Sequence, residues 1–239
     1  MSDFWNPWHG CHKISDGCLN CYVYRIDSKF GRNPSLVTKS KAFNAPLKRD
    51  RSGNFSMSGG VVYTCFSSDF FVEEADAWRT EAWKIMKIRD SQKFLFITKR
   101  IHRFMECIPE DWGDGYPNVS IGCTMENQKM ADYRMPIFLE APIVHKFVVC
   151  EPLLGPIDFH GALNSGGIEE VIVGGESGEN ARICEFDWVM QIREQCLESK
   201  TNFHFKQTGA KFKKDGRLYK IPRRLQSEQA AKSKADLCF

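Results

Sequence analysis

The chain lacks most of what would take it out of the ordinary globular class. No run approaches the roughly 18 consecutive apolar residues of a membrane span. The opening Met1-Ser-Asp-Phe-Trp-Asn-Pro-Trp8 has no basic region followed by an apolar one, so neither a secretory leader nor a membrane partner is expected. Internal repeats and low-complexity tracts are absent. Neither sign of charge dominates: 33 Lys and Arg against 30 Asp and Glu leave +3, too little to imply nucleic acid by itself. The glycine-rich stretches match neither the Walker nor the dinucleotide spacing. Without a leader, the ten cysteines are expected to be reduced in the cytoplasm, where clustered cysteines indicate metal or catalysis more often than disulfides.

What is present suits a sizeable core. The 239 residues, 42% of them apolar, fit one large domain or two small ones, and an α/β barrel is ordinary at this length. Eighteen Phe and six Trp suit either a bulky core or a pocket for flat ligands.

Short β-like runs recur at Phe4-Trp5, Val61–Cys65, Phe94–Thr98, Val119–Cys123, Lys146–Cys150, Val171–Gly174 and Asn202–Lys206. Most are continuously apolar, which predicts strands buried on both faces. Helical periodicity lies between them, over Glu74–Arg89 and Asp187–Ser199, and more weakly over Asn127–Leu139, where Pro136 is expected to interrupt the helix. This alternation predicts an α/β fold: a parallel sheet of six to seven strands forming a full or partial (β/α) barrel. Residues 1–210 are expected to form that domain, with a loop or insertion over 43–60. Residues 211–239 form a basic segment, expected to be a solvated surface run rather than a nucleic-acid contact.

Each predicted strand is followed by polar groups: Ser67-Ser68-Asp69, Thr98-Lys99-Arg100, Glu126-Asn127-Gln128, Glu151-Pro152, Gly174-Gly175-Glu176-Ser177-Gly178 and Lys206-Gln207. Any one of these is a turn or cap by default. All on the carboxyl end of a parallel sheet, they would line a polar pocket, with the glycines admitting a ligand close to backbone.

Cys11, Cys18 and Cys21 stand in a C-x6-C-x2-C loop rich in Gly, Asn and Asp. Three thiolates can hold three irons of a cubane and leave the fourth open to a small chelating ligand such as S-adenosylmethionine. Zinc, with His9 or His12 as a fourth ligand, is the competing metal, although the second short-spaced ligand pair of most structural zinc sites is missing. Burial of all three as plain core cysteines remains the bland alternative.

Taken together, Trp5-Asn-Pro-Trp-x-Gly-Cys11-x-Lys-x-Ser-x-Gly-Cys18-x-x-Cys21-Tyr22, Ser68-Asp69-Phe70-Phe71, Thr98-Lys99-Arg100, Glu151-Pro-Leu-Leu-Gly155, Gly174-Gly-Glu-Ser-Gly178 and Phe205-Lys206-Gln207-x-Gly209 resemble the phage-type three-Cys-motif family of formerly unknown function in the radical S-adenosylmethionine superfamily. The usual superfamily spacing is C-x3-C-x2-C, and the longer first gap here departs from it.

The resemblance implies a [4Fe-4S] cluster on Cys11, Cys18 and Cys21, S-adenosyl-L-methionine as co-substrate, and an electron donor such as flavodoxin or ferredoxin. Within the family the chain is most similar to members that act on queuine, a modified 7-deazaguanine, and release 7-aminomethyl-7-deazaguanine in queuosine salvage. On that reading Tyr22, Ser67, Ser68, Asp69, Lys99 and Arg100 bind the cofactor, and Glu126, Glu151, Glu176, Lys206 and Gln207 bind the substrate. A radical enzyme acting on a base in DNA or RNA, and a non-catalytic zinc-stabilised nucleic-acid-binding module, are the alternatives.

Overall fold

The computed structural model describes residues 3–239. Its strands are β1 (Asp3–Trp5), β2 (Trp8–His9), β3 (Thr38–Lys39), β4 (Val61–Thr64), β5 (Lys93–Thr98), β6 (Val119–Thr124), β7 (His145–Cys150), β8 (Glu170–Gly174), β9 (Ile183–Glu185), β10 (Asn202–Gln207), β11 (Lys211–Lys214) and β12 (Arg217–Lys220). The α-helices are α1 (Tyr22–Lys29), α2 (Asp76–Ile88), α3 (Phe104–Cys107), α4 (Gln128–Glu140), α5 (Phe186–Ser199) and α6 (Gln226–Lys232).

All seven predicted strands enter one parallel sheet, ordered β1-β4-β5-β6-β7-β8-β10. Its edges β1 and β10 do not pair, so the partial form of the expected (β/α) barrel is present and the closed one is not. No helix among the described residues is long and apolar enough to cross a membrane.

The chain divides into two compact units, 1–13 with 23–122 and 141–145, and 14–22 with 123–140 and 146–239. In the first, β1, β4 and β5 run parallel, with Phe4 opposite Tyr63 and Val62 opposite Phe94. Its core is aromatic. Phe70 stacks on Phe96 at 4.4 Å and meets Trp83 edge-on at 4.7 Å, and Trp83 lies 4.9 Å from Trp112. Buried indole N–H groups find carbonyls, Trp5 on Phe43 at 2.9 Å and Trp83 on Cys107 at 2.7 Å, as buried donors must. Much of the Phe and Trp content is therefore core. Phe43 to Gly60 is irregular, with a 3-10 turn at Ala45–Leu47 and one bridge from Arg49 to Phe55. Arg49 and Arg89 each stack 3.9 Å from the Phe55 ring.

In the second unit, β7, β8 and β10 run parallel, with Val148 opposite Val171 and Val171 opposite Phe203. Helix α4 continues through Pro136, contrary to the expected interruption. Proline removes one hydrogen bond to the carbonyl four residues back, but Ala131, Arg134, Met135 and Phe138 bury one helix face, and tertiary packing outweighs local propensity. Burial on both faces holds for β6 and β7. In β4, β5 and β10, buried side chains alternate with more exposed ones, as in a sheet with one face less covered.

The basic segment is more than the solvated run expected of it. Strand β11 pairs with β9 and with β12, and Phe212 packs 5.9 Å from Phe186 and 6.0 Å from Phe205. Gln226 and Ala230 of α6 are buried. Leu237 then exchanges backbone hydrogen bonds with Phe203, at 2.9 and 3.0 Å, along the outer side of β10.

Candidate functional site

Two clusters stand at the carboxyl ends of the sheet strands, one in each unit. In the first, the Ser67 N–H donates to Asn6 Oδ1 at 3.0 Å, the Ser67 hydroxyl to the Trp8 carbonyl at 3.3 Å, and the Ser68 hydroxyl to the Gly10 carbonyl. Both serines thus hold the segment leading to Cys11. Asp69, 5% exposed, accepts from the Phe71 N–H (3.0 Å), the Thr98 hydroxyl (2.7 Å) and the Lys99 N–H (2.9 Å). Its carboxylate ties the ends of β4 and β5 together.

Asp69 also lies 3.5 Å from the Arg100 guanidinium. Arg100 is 2% exposed and no surface cation. It donates to Cys11 Sγ at 3.5 Å and to the His12 carbonyl at 3.0 Å, while its buried Nε has no hydrogen-bond partner. Burial would lower its pKa, but Asp69, Cys11 and Glu73 hold it above the ordinary value.

In the second unit, Glu126 is fully buried and pairs with Arg134 at 2.7 Å. Glu176, 6% exposed, is gripped by Arg182 through both carboxylate oxygens, at 2.6 and 3.0 Å. Glu151 pairs with Lys206 at 2.6 Å and accepts from the Gln207 amide, whose oxygen accepts from Arg223. The three carboxylates each have a cationic partner, Arg134, Arg182 and Lys206 in turn. Arg134 and Arg182 carry no motif signal; Arg182 stands six residues after Glu176 and Arg134 eight after Glu126.

The glycines after β8 serve the chain itself. A Cβ on Gly175 would sit 2.2 Å from the Thr208 carbonyl oxygen and 2.9 Å from Gly209 Cα. The backbone approaching Gly175 is therefore that of Thr208 and Gly209, which correct the expectation of a ligand at that place.

Burial at Glu176 would raise its pKa, but hydrogen bonds from Arg182 and Asn20 hold it below the ordinary 4.5. A depressed carboxylate contributes stability in full above its unfolded value and loses it as pH falls through its folded value. Urea midpoints measured from about pH 7 to about pH 3 should therefore fall below the ordinary value, and less steeply in Arg182→Met. Equal slopes would show that the pair does not couple to folding.

The cysteines sort by burial. Cys65, Cys107, Cys123, Cys150, Cys184 and Cys196 are buried, Cys238 is exposed, and Cys11, Cys18 and Cys21 are intermediate. Burial pushes the thiols of Cys65, Cys107 and Cys150 up, and those of Cys184 and Cys196 to about 12, which makes them inert. Cys11 belongs to the first unit, and Cys18 and Cys21 to the second. Cys18 Sγ lies 3.9 Å from the Ser15 hydroxyl. Tyr22, the first residue of α1, is 45% exposed and not a core residue.

His9 Nε2 is 2.7 Å from Asp27 and His12 Nε2 is 2.5 Å from Glu74, so carboxylates occupy those nitrogens of both candidate zinc ligands. Among the described residues no three His, Cys, Asp or Glu side chains are gathered as a metal-binding group. Three thiols of intermediate burial are the donor type that iron–sulfur clusters take.

A concavity of about 440 Å³ lies at the amino ends of β8 and β10, lined by residues including Glu170, His204 and Asp236. That is the end of such sheets associated with stability rather than chemistry.

These features define an α/β protein with a parallel sheet and a cysteine-bearing loop. The family model described as "Protein of unknown function (DUF5131)" matches residues 1–236, and the chain belongs to that family. No curated protein and no solved structure matches it.

Proposed function

We propose that the protein is a radical S-adenosylmethionine enzyme of the queuine lyase type, working in a reducing cytoplasm on a modified 7-deazaguanine. The observation that carries the reading is the partition of the cysteines: those of the C-x6-C-x2-C loop are accessible, and six of the other seven are buried. Cys11, Cys18 and Cys21 would hold a [4Fe-4S] cluster, with one iron left for S-adenosylmethionine. When bound, the pair supplies hydrogen-abstraction chemistry, driven by one electron from a flavodoxin- or ferredoxin-like donor.

The chain's own residues bind and orient. Arg100 donates to the Cys11 sulfur and fixes its direction. Lys99 is assigned to the carboxylate of S-adenosylmethionine, a group that cationic donors pair well, while Arg100 donates to Cys11 and to the His12 carbonyl. Exposed Tyr22 offers a ring to the adenine. For the N–H edge of the deazaguanine, Glu151 is the acceptor: its side chain is 18% exposed against 0% for Glu126 and 6% for Glu176. Lys206 and Gln207 beside Glu151 complete that edge.

Reduced protein incubated anaerobically with S-adenosylmethionine and queuine should release 5′-deoxyadenosine and 7-aminomethyl-7-deazaguanine, read by mass spectrometry. A colourless, zinc-loaded protein that cleaves no S-adenosylmethionine would end the proposal. Release of 5′-deoxyadenosine only with an oligonucleotide, with salt-dependent binding, would move the substrate to a base in DNA or RNA.

A further inference from the structure

We propose that Glu126 and Glu176 are positioning residues for the turn that carries Cys18 and Cys21, rather than ligands of the substrate. The inference deepens the radical reading, and rests on it for what the turn holds. Residues 14–22 form a tight turn. The Leu19 N–H donates to the Asp16 carbonyl at 3.1 Å and the Cys21 N–H to the Cys18 carbonyl at 3.3 Å. Such a turn fixes its own curvature but not its orientation.

Two carboxylates from the sheet supply the orientation. Glu126 Oε1 accepts from the Gly17 N–H at 3.2 Å, one residue before Cys18. Glu176 Oε2 accepts from Asn20 Nδ2 at 2.9 Å, one residue before Cys21, and the same amide donates to the Asn180 carbonyl at 2.9 Å.

Each carboxylate is in turn immobilised. Arg134 donates to Glu126 Oε2 at 2.7 Å and to the Thr124 carbonyl at 2.7 Å. The Arg182 N–H also donates to Glu176 Oε2, at 2.8 Å, beside the two guanidinium bonds. With Asn20 included, Glu176 Oε2 accepts three bonds, which leaves little lone-pair capacity for a substrate N–H. A strand end, a clamped carboxylate and a loop amide thus form a rigid chain to each of these two thiols. Outer residues that orient metal ligands in this way commonly change affinity by about 10–100-fold when lost.

The test compares wild type with Glu176→Gln and Asn20→Ala, the second of which alters only the loop side of the contact. In metal-free protein, amide exchange over residues 14–22 should quicken about tenfold in both variants. After anaerobic reconstitution, both should hold several-fold less iron, and the paramagnetic signal of the reduced cluster should shift or broaden. Exchange at the wild-type rate in both variants overturns the inference. So does wild-type iron content and signal in Glu176→Gln with only KM raised, which would return Glu176 to the substrate. Faster exchange in the variants of a protein whose wild type takes up no iron supports the anchoring and overturns the radical reading, so the two fail separately.

Discussion

Under the proposed radical chemistry, Cys18→Ala is expected to lose its iron and, with it, cleavage of S-adenosylmethionine. A cluster held by three thiolates has no spare ligand. If losing an outer partner of a ligand costs about 10–100-fold, losing the ligand itself should exceed about a hundredfold. Cys11→Ala and Cys21→Ala should behave alike. Cys196→Ala is the control, because that thiol is fully buried, pushed up to about 12, and part of the packing beneath α5; it should keep its iron and lose some stability. Iron and sulfide per chain, with absorbance of the anaerobic protein, decide the matter. Full iron content in Cys18→Ala would remove that residue from the ligand set.

The largest stability effect is expected at Arg134→Met. Glu126 is fully buried and its Oε2 faces Arg134. Removing the cation takes from a buried carboxylate the guanidinium 2.7 Å away, a change of the kind that costs about 3–5 kcal/mol. A fall in Tm of about 10 °C would correspond to it. Glu126→Leu combined with Arg134→Met should recover most of the loss, since an apolar pair of similar volume is often as stable as a buried ion pair. The coupling is the difference between the double change and the sum of the single ones. A single Arg134→Met within about 0.5 kcal/mol of wild type would contradict the pairing.

All seven strands of the main sheet were legible as short β-like runs; β6 and β7 were plainest, because a strand buried on both faces writes its environment directly into consecutive residues. Helices α2 and α5 were legible from their spacing. Helix α1 was not, since its buried residues are only Val23 and Asp27, too few to make a stripe. The folding of residues 211–239 was hidden because Phe212 is flanked by lysines and anchored by Phe186 and Phe205, partners that no local pattern announces.

At the strand ends the residue types were readable and their partners were not. Asp69 was readable as a polar strand end, but not that Thr98, Lys99 and Arg100 gather around it. Asn20 looks like loop filler, yet it contacts Glu176 across 156 positions of sequence. Side-chain pairings at such separations are set by how the strands are ordered, which composition and spacing do not encode.

Strand β10 ends the sheet, and an uncovered last strand is a template on which other chains can grow. Here Leu237 occupies part of that template through its two bonds to Phe203, and the Phe239 N–H donates to Asn202 Oδ1 at 2.9 Å. Leu237 and Phe239 thus act as a guard against edge-to-edge aggregation. A substitution that lifts Leu237 from β10, such as Leu237→Pro, which has no N–H to give Phe203, would bare the strand these few residues protect.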